Sequence, residues 1–145
     1  MAKRVLIVDD EDDIRDIVQA ALEELAGWQT LGAGSGQEGL ALAQQSKIDA
    51  ILLDISMPDM DGFEIYQQLQ THPATAAIPV IVLTSKVLAR DRARFTALQV
   101  AGLITKPFNP LTLAQQIGDL LGWSAAGYTK SGLRTPEMIG LMRAT

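Results

Sequence analysis

Chemically capable side chains directly follow four short apolar runs of the sequence: Asp9 with Asp10, then Asp54, then Thr84 with Ser85, and finally Lys106. Two carboxylates about 4 Å apart repel each other by roughly 4 kcal/mol at an effective dielectric constant near 20. One of them would therefore take up a proton unless a cation compensates the charge. Mg²⁺ suits such a site, because it binds one or two carboxylates together with water and phosphate oxygens. Lys106 fits the same site as a point charge for phosphoryl oxygens.

Asp54 is the candidate nucleophile of this predicted site, because carboxylates can form aspartyl phosphates. It ends an apolar segment, so a buried strand would hold it rigidly. Phosphoryl transfer depends mostly on positioning and on neutralising charge, which a metal ion and Lys106 would supply. A single Asp after a strand is more often a turn residue or a helix N-cap. The prediction therefore depends on the acids, the hydroxyl and the lysine meeting at one place.

Periodicity predicts that they do meet. Apolar strand-like runs alternate five times with segments of helical spacing. The predicted strands are Val5–Val8, Trp28–Ala33, Ile48–Leu53, Pro79–Leu83 and Leu103–Ile104. The predicted helices begin at Glu11 (with Gly27 as C-terminal cap), at Ser35 (the N-cap of a capping box), after Gly62, at residue 87 (running to 99) and at Pro110. Continuously apolar strands separated by helices predict a parallel sheet covered on both faces, with its chemistry at the carboxyl ends of the strands.

Composition limits the remaining possibilities. The chain has 145 residues, of which 48% are apolar and 20% charged, as in one ordinary globular domain. Its net charge of −5 argues against binding nucleic acid through bulk electrostatics. The lack of cysteine excludes disulfides and thiolate metal sites. We find no signal peptide and no run of 18 apolar residues, so the sequence predicts a cytoplasmic protein without membrane association.

Four motifs, in this order and spacing, resemble those of the receiver domains of response regulators in two-component signalling: VLIVDDE, LLDISMPDMDG, VIVLTS and LITKPF. The resemblance covers residues 4 to about 122. It implies a receiver domain at residues 1–123 with a flavodoxin-like, doubly wound (βα)5 fold of the α/β class. The five-stranded parallel sheet would have the strand order 2-1-3-4-5. Pro58 and Gly62 match the loop positions that lead into the third helix.

The resemblance also implies a chemistry. Asp54 would accept a phosphoryl group from a phosphohistidine on a sensor histidine kinase or histidine phosphotransfer protein, or from a small donor such as acetyl phosphate. Mg²⁺, with Mn²⁺ as an expected substitute, would be held by the side chains of Asp10 and Asp54 and the backbone carbonyl of Ser56. Asp9 would contact the ion largely through water. Beyond this self-phosphorylation and auto-dephosphorylation, no enzyme activity is expected.

The switch of this family involves residues near the end of the sheet. Thr84 would move inward to hydrogen-bond the phosphoryl group, Lys106 would contact it, and the Lys106–Pro107 bond would be cis. Leu103 departs from the family, because the position three residues before the lysine is usually Tyr or Phe. Leu has no ring to bury, so the readout of phosphorylation must differ. Ser56 and Lys86 border the site and are expected to tune dephosphorylation.

The output is predicted to be partner binding or onward phosphoryl transfer by a stand-alone receiver. Downstream proteins would bind the face formed by helix 4, strand 5 and helix 5, and a homodimer is a further expectation. Arg90, Arg92 and Arg94 on helix 4 either bind a partner or form a solvated face. The tail 124–145 holds a predicted helix at 136–143, beginning after Thr135, which would either dock a partner or pack on its own domain.

Three other readings compete. Gly34, Gly36 and Gly39 fit the G-x-G-x-x-G pattern of dinucleotide-binding domains, although this pattern follows the second strand rather than the first. An aspartyl-nucleophile phosphatase commonly has a second Asp two residues after the nucleophile, where Ser56 stands. A flavodoxin-like adaptor that binds partners without phosphorylation is left open by the sequence.

Overall fold

The computed structural model describes residues 2–56, 62–85 and 89–123, with the side chains of residues 89–92 outside the description. Strands and helices alternate along this part of the chain in the predicted order. They are β1 (Arg4–Val8), α1 (Asp12–Ala26), β2 (Gln29–Ala33), α2 (Gly36–Gln45), β3 (Ala50–Asp54), α3 (Gly62–Thr71), β4 (Val80–Thr84), α4 (Ala89–Ala97), β5 (Gly102–Thr105) and α5 (Leu113–Leu121). All neighbouring strands pair in parallel, in the order β2-β1-β3-β4-β5, so the predicted sheet is confirmed.

The apolar runs form strands because both faces of the sheet are covered. Successive side chains of a strand point to opposite faces, so a run such as Val5–Val8 fills two cores at once. Val5 and Ile7 belong to the core under α1 and α5, which Val18, Leu22, Leu113 and Ile117 complete. Leu6 and Val8 belong to the other core, with Leu40, Ala43, Ile65 and Leu69 from α2 and α3.

Two helix ends follow the predicted signals. Ser35 caps α2, because its hydroxyl accepts a hydrogen bond of 3.2 Å from the backbone N–H of Glu38. Gly27 ends α1 in the left-handed conformation, with φ of 71°, and donates to carbonyls of the last turn. The fourth helix was predicted to run to residue 99 but ends at Ala97, and Gln99 beyond it has a left-handed φ of 62°. Trp28, predicted to start the second strand, lies just before β2 and is buried in the core.

The predicted start of α5 at Pro110 is wrong. The helix begins at Leu113, because Asn109 forms a turn in front of it: its side-chain Oδ1 accepts from the N–H of Leu111 and its carbonyl accepts from the N–H of Thr112. Leu111, which a helix starting at Pro110 would carry as one of its apolar residues, is 71% exposed. The first two residues of the predicted fourth helix, 87 and 88, and the tail 124–145 lie outside the described residues. No described helix combines the length and the apolar character that crossing a bilayer would require.

Two of the three glycines in the G-x-G-x-x-G pattern, Gly34 and Gly39, are explained by packing. A methyl group added to Gly39 would lie 2.7 Å from Cγ2 of Val8, so the absence of a side chain lets α2 lie directly on β1. A methyl group at Gly34 would lie 3.2 Å from the guanidinium of Arg15. The spacing that suggested dinucleotide binding therefore serves contacts between helices and the sheet.

Gly39→Ala should lower the free energy of unfolding. Alanine favours a helix over glycine by up to about 1 kcal/mol, but inserting a methyl group into a packed core typically costs about 1–3 kcal/mol. We expect a net loss of about 1 kcal/mol, measured by urea unfolding. Gln37→Ala on the exposed side of α2 is the control and should change stability by less than about 0.5 kcal/mol. A Gly39→Ala variant more stable than the wild type would contradict the packing argument.

Candidate functional site

Backbone hydrogen bonds bring the predicted site residues to one edge of the sheet. Asp9 continues the pairing of β1 by donating its N–H to the carbonyl of Ala33 over 3.0 Å. Lys106 continues β5 in the same way, through a bond of 2.8 Å to the carbonyl of Thr84. Asp54 is the last residue of β3 and pairs in register with Leu83. Because the strands are parallel, all of these residues follow carboxyl ends and face one common space.

The three acids meet there as predicted. One carboxylate oxygen from each of Asp9, Asp10 and Asp54 lies within 4.8 Å of those of the other two. Asp9 and Asp54 are buried, with 0% and 2% of their surface exposed, whereas Asp10 is exposed to solvent. The buried pair is fixed by backbone donors: Glu11 N–H binds Oδ1 of Asp9 at 3.0 Å, and Ser56 N–H binds Oδ1 of Asp54 at 2.8 Å.

Lys106 supplies the compensating charge within this cluster. Its Nζ lies 2.8 Å from Oδ2 of Asp9 and 3.3 Å from Oδ2 of Asp54, and its side chain is only 13% exposed. Because β4 lies between β3 and β5 in the sheet, the side chain of Lys106 crosses the end of β4 to reach Asp54. One ammonium faces three carboxylates, and the remaining negative charge suits a divalent cation.

Burial raises the pKa of Asp54 above its ordinary value of 3.8. The hydrogen bond from Ser56 opposes this shift, the neighbouring charge of Asp9 adds to it, and Lys106 opposes it. For Lys106, burial alone would lower the pKa, but its hydrogen bond to Asp9 and the charges of Asp54 and Asp9 raise it above 10.5. The ammonium is therefore held in its charged form among the acids.

The other predicted residues lie around this cluster. Thr84 is buried at the end of β4, and Ser56 is exposed two residues after Asp54. Leu103 is partly buried in β5, where it pairs with Val82. The Lys106–Pro107 peptide bond is cis, as the family resemblance implied. Lys86 and Pro58 lie outside the described residues.

Gly62, the first residue of α3, packs directly against Ile55, the residue after Asp54. A methyl group there would lie 2.6 Å from the Cα of Ile55 and 2.5 Å from its Cγ2. Since a backbone atom cannot give way as a flexible side chain does, only glycine permits this approach beside Asp54.

One residue at the site was not predicted from the sequence. Arg15, in the second turn of α1, donates a hydrogen bond of 2.7 Å from Nη1 to the backbone carbonyl of Asp9. Its other terminal nitrogen pairs with Asp12, three residues earlier on the helix. The i,i+3 spacing of opposite charges was a visible signal for that pair, but it does not indicate a contact with the acidic site.

Fold and site together define a class: a doubly wound α/β protein whose sheet carries an acidic pocket at its carboxyl edge, with Lys106 bound between two of the acids. The response regulator receiver domain matches residues 5–118, and the chain belongs to this family of phosphorylation-activated signalling switches in two-component systems. The protein PilH of Pseudomonas aeruginosa is 39% identical over 118 residues, which are 81% of this chain and 97% of PilH.

Two further relatives agree. The alkaline phosphatase synthesis transcriptional regulatory protein PhoP of Bacillus subtilis is 32% identical over 140 residues, or 97% of this chain. The chain spans only 57% of the length of that PhoP. Among solved structures, the chemotaxis protein CheY4 of Vibrio cholerae superimposes with a TM-score of 0.77 at 32% identity, over 83% of this chain and 99% of CheY4.

Asp54→Asn should stabilise the fold at pH 7 in the presence of a chelator. A carboxyl group whose folded-state pKa lies above 3.8 binds more protons when folded. Its contribution to stability is present below pH 3.8 and is lost as the pH rises through the folded-state pKa. The stability advantage of the variant should therefore be larger at pH 7 than at pH 4, measured by urea unfolding at both values.

The exposed Asp16→Asn serves as the control for that experiment and should stay within about 0.5 kcal/mol of the wild type. An Asp54→Asn variant that is less stable than the wild type at pH 7 would show that Lys106 outweighs the cost of burying the charge.

Proposed function

We propose that Asp54 is the phosphoryl acceptor of this receiver domain, with Lys106 and Thr84 as its functional partners. The observation that carries the proposal is the ammonium of Lys106 shared between the buried carboxylates of Asp9 and Asp54. Such a group can contact the oxygens of a phosphoryl group that arrives at Asp54. The buried hydroxyl of Thr84, from the neighbouring strand, would hydrogen-bond the same group after moving inward.

The donor set at this edge fits Mg²⁺, since oxygen ligands of clustered carboxylates are those that the ion prefers. Asp10 and Asp54 would hold it through their side chains, Ser56 through its backbone carbonyl and Asp9 largely through water; Mn²⁺ could replace it. When bound, the ion would neutralise the charge that otherwise separates the Asp54 carboxylate from a phosphoryl donor.

The reaction at Asp54 needs little besides positioning. A carboxylate oxygen of Asp54 forms a bond to phosphorus, while the bond from phosphorus to the donor breaks. That donor bond is P–N in a phosphohistidine of a sensor kinase or phosphotransfer protein, and P–O in acetyl phosphate. Water later hydrolyses the acyl phosphate, so the activity is limited to self-phosphorylation and auto-dephosphorylation. Ser56 borders this site, which supports its proposed influence on dephosphorylation.

The output face proposed for downstream proteins comprises α4, β5 and α5. A groove of about 470 Å³ lies between β5 and α5 on this face, lined in part by Leu103, Phe108, Gln116 and Leu120. Leu103 would report the movement of Thr84 through packing alone, since it has no ring. The guanidinium of Arg94 in α4 lies 3.4 Å from the centroid of the Phe63 ring. This contact supports a role for Arg94 in packing within the domain.

The wider assignments are proposals of the same kind. We propose a cytoplasmic receiver at residues 1–123, whose partners are proteins rather than nucleic acid or membrane, and which has the capacity to form a homodimer. The tail 124–145, with its predicted helix at 136–143, would contribute to partner binding.

Incubation with acetyl phosphate should give a single phosphoryl adduct by intact mass. We expect the adduct in wild type with Mg²⁺, its loss when a chelator removes the ion, and its loss in Asp54→Asn. Asp16→Asn is the control and should be phosphorylated like the wild type, because Asp16 is an exposed residue outside the acidic cluster.

Two results would count against the proposal. An adduct that persists in Asp54→Asn would place the acceptor elsewhere. No adduct in wild type, with acetyl phosphate or with phosphorylated histidine kinases, would favour an adaptor that binds partners without phosphorylation.

A further inference from the structure

We infer that Arg15 is a positioning residue for the acidic site, and that it sets the affinity of this site for Mg²⁺. The inference rests on the proposed function of Asp54 and its neighbours. In the described part of the chain, the hydrogen bonds of Arg15 go to the Asp9 carbonyl and to Asp12, not to the Lys106 ammonium or to the acidic cluster. It acts on the backbone of the turn between β1 and α1, from which two of the three acids project.

The contact that carries the inference is the hydrogen bond of 2.7 Å from Nη1 of Arg15 to the carbonyl of Asp9. This carbonyl belongs to the peptide group that joins Asp9 to Asp10, so its orientation governs the backbone of both acids. A cationic donor makes a stronger bond to a carbonyl than a neutral one does. The turn is held from its other side by the N–H of Glu11, which binds the Asp9 side chain.

The guanidinium is itself held in place. Its second terminal nitrogen pairs with the carboxylate of Asp12, and the side chain of Arg15 is only 19% exposed. The stem passes over Gly32 of β2 and over Gly34, just beyond the end of that strand. A methyl group at Gly34 would lie 3.2 Å from Nη1, and one at Gly32 would lie 3.4 Å from Cδ of Arg15.

A contact between α1 and β2 fixes the same helix face one turn further along. Gln19 donates from Nε2 to the hydroxyl of Thr30 over 3.1 Å, and this hydroxyl donates to the carboxylate of Glu23. The helix is therefore anchored beside Arg15, and the guanidinium has a defined distance to the turn. The anchored helix, the lack of side chains at Gly32 and Gly34 and the guanidinium of Arg15 together fix the position of the Asp9 carbonyl.

Outer groups that orient metal ligands typically change metal affinity by about 10- to 100-fold when they are removed. Arg15→Met keeps the apolar stem but removes both donors and the charge. We expect its dissociation constant for Mg²⁺ to rise by about 10-fold, measured by calorimetric titration of the full chain without a phosphodonor. Arg15→Lys keeps a charge and one donor, and should recover part of this loss.

Gly34→Ala tests the same contact without removing the arginine. Its added methyl group should push the guanidinium away from the Asp9 carbonyl and weaken Mg²⁺ binding in wild type. In the Arg15→Met background the same substitution should have no further effect, because the group that it displaces is gone. Equal effects in both backgrounds would overturn the inference.

Arg4→Met is the matched control for these variants. Arg4 is also an arginine that binds a neighbour, since its guanidinium donates to Oε1 of Gln29, but it lies at the opposite edge of the sheet. Its Mg²⁺ dissociation constant should equal that of the wild type. Urea unfolding of every variant distinguishes a change in stability from a change in affinity. A purely structural role of Arg15 would lower the free energy of unfolding and leave the Mg²⁺ dissociation constant unchanged.

A wild-type dissociation constant for Mg²⁺ in folded Arg15→Met would overturn this inference and leave the proposed function of Asp54 intact. Failure of the wild type to form an adduct would overturn the proposed function, while the Mg²⁺ titrations would still report on Arg15. With acetyl phosphate, Arg15→Met should label slowly at low Mg²⁺ and approach the wild-type rate when Mg²⁺ saturates the site.

Discussion

Two buried carboxylates share one ammonium at the edge of the sheet, and the surrounding structure depends on that compensation. Charges taken out of water require both partners and hydrogen bonds to the remaining lone pairs. Asp9 and Asp54 have these from Lys106, Glu11 and Ser56. The parallel pairing of β1, β3, β4 and β5 brings three separate strand ends close enough for this arrangement. The surplus negative charge that remains would be compensated by the proposed cation.

Close approaches at glycine surround the same edge of the sheet. Gly39 brings α2 onto β1, Gly62 brings the start of α3 onto Ile55, and Gly34 leaves room for Arg15. Each of these contacts lies near the segment that carries Asp9 or Asp54. A site that must hold its groups within about 0.5 Å of a defined geometry is better built on strands and helices than on loops.

Aromatic packing lies between α3 and α4 rather than at Leu103. Phe63 stacks on Phe95 with ring centroids 5.0 Å apart, and Arg94 covers the outer face of Phe63. The hydroxyl of Tyr66 donates to the carbonyl of Leu98 over 2.6 Å, just beyond α4. Any displacement of α4 on phosphorylation must therefore disturb these contacts. In a receiver whose usual aromatic position is occupied by Leu, they are the aromatic groups best placed to oppose or follow such a movement.

Sequence alone determined the alternation of strands and helices, the acids at the strand ends and the caps at Gly27 and Ser35, because these depend on local periodicity and local hydrogen bonds. It mistook the start of α5, where the side chain of Asn109 forms a turn that no periodicity reveals. The sequence predicted that these charges would share one edge of the sheet, but tertiary structure alone decided which of them pair directly. Lys106 and Asp9 are 97 positions apart, and their 2.8 Å contact follows from strand order and register. The contact of Arg15 with the acidic site was not predicted, because its partner is a backbone carbonyl. Every residue has such a carbonyl, so no sequence pattern marks this one.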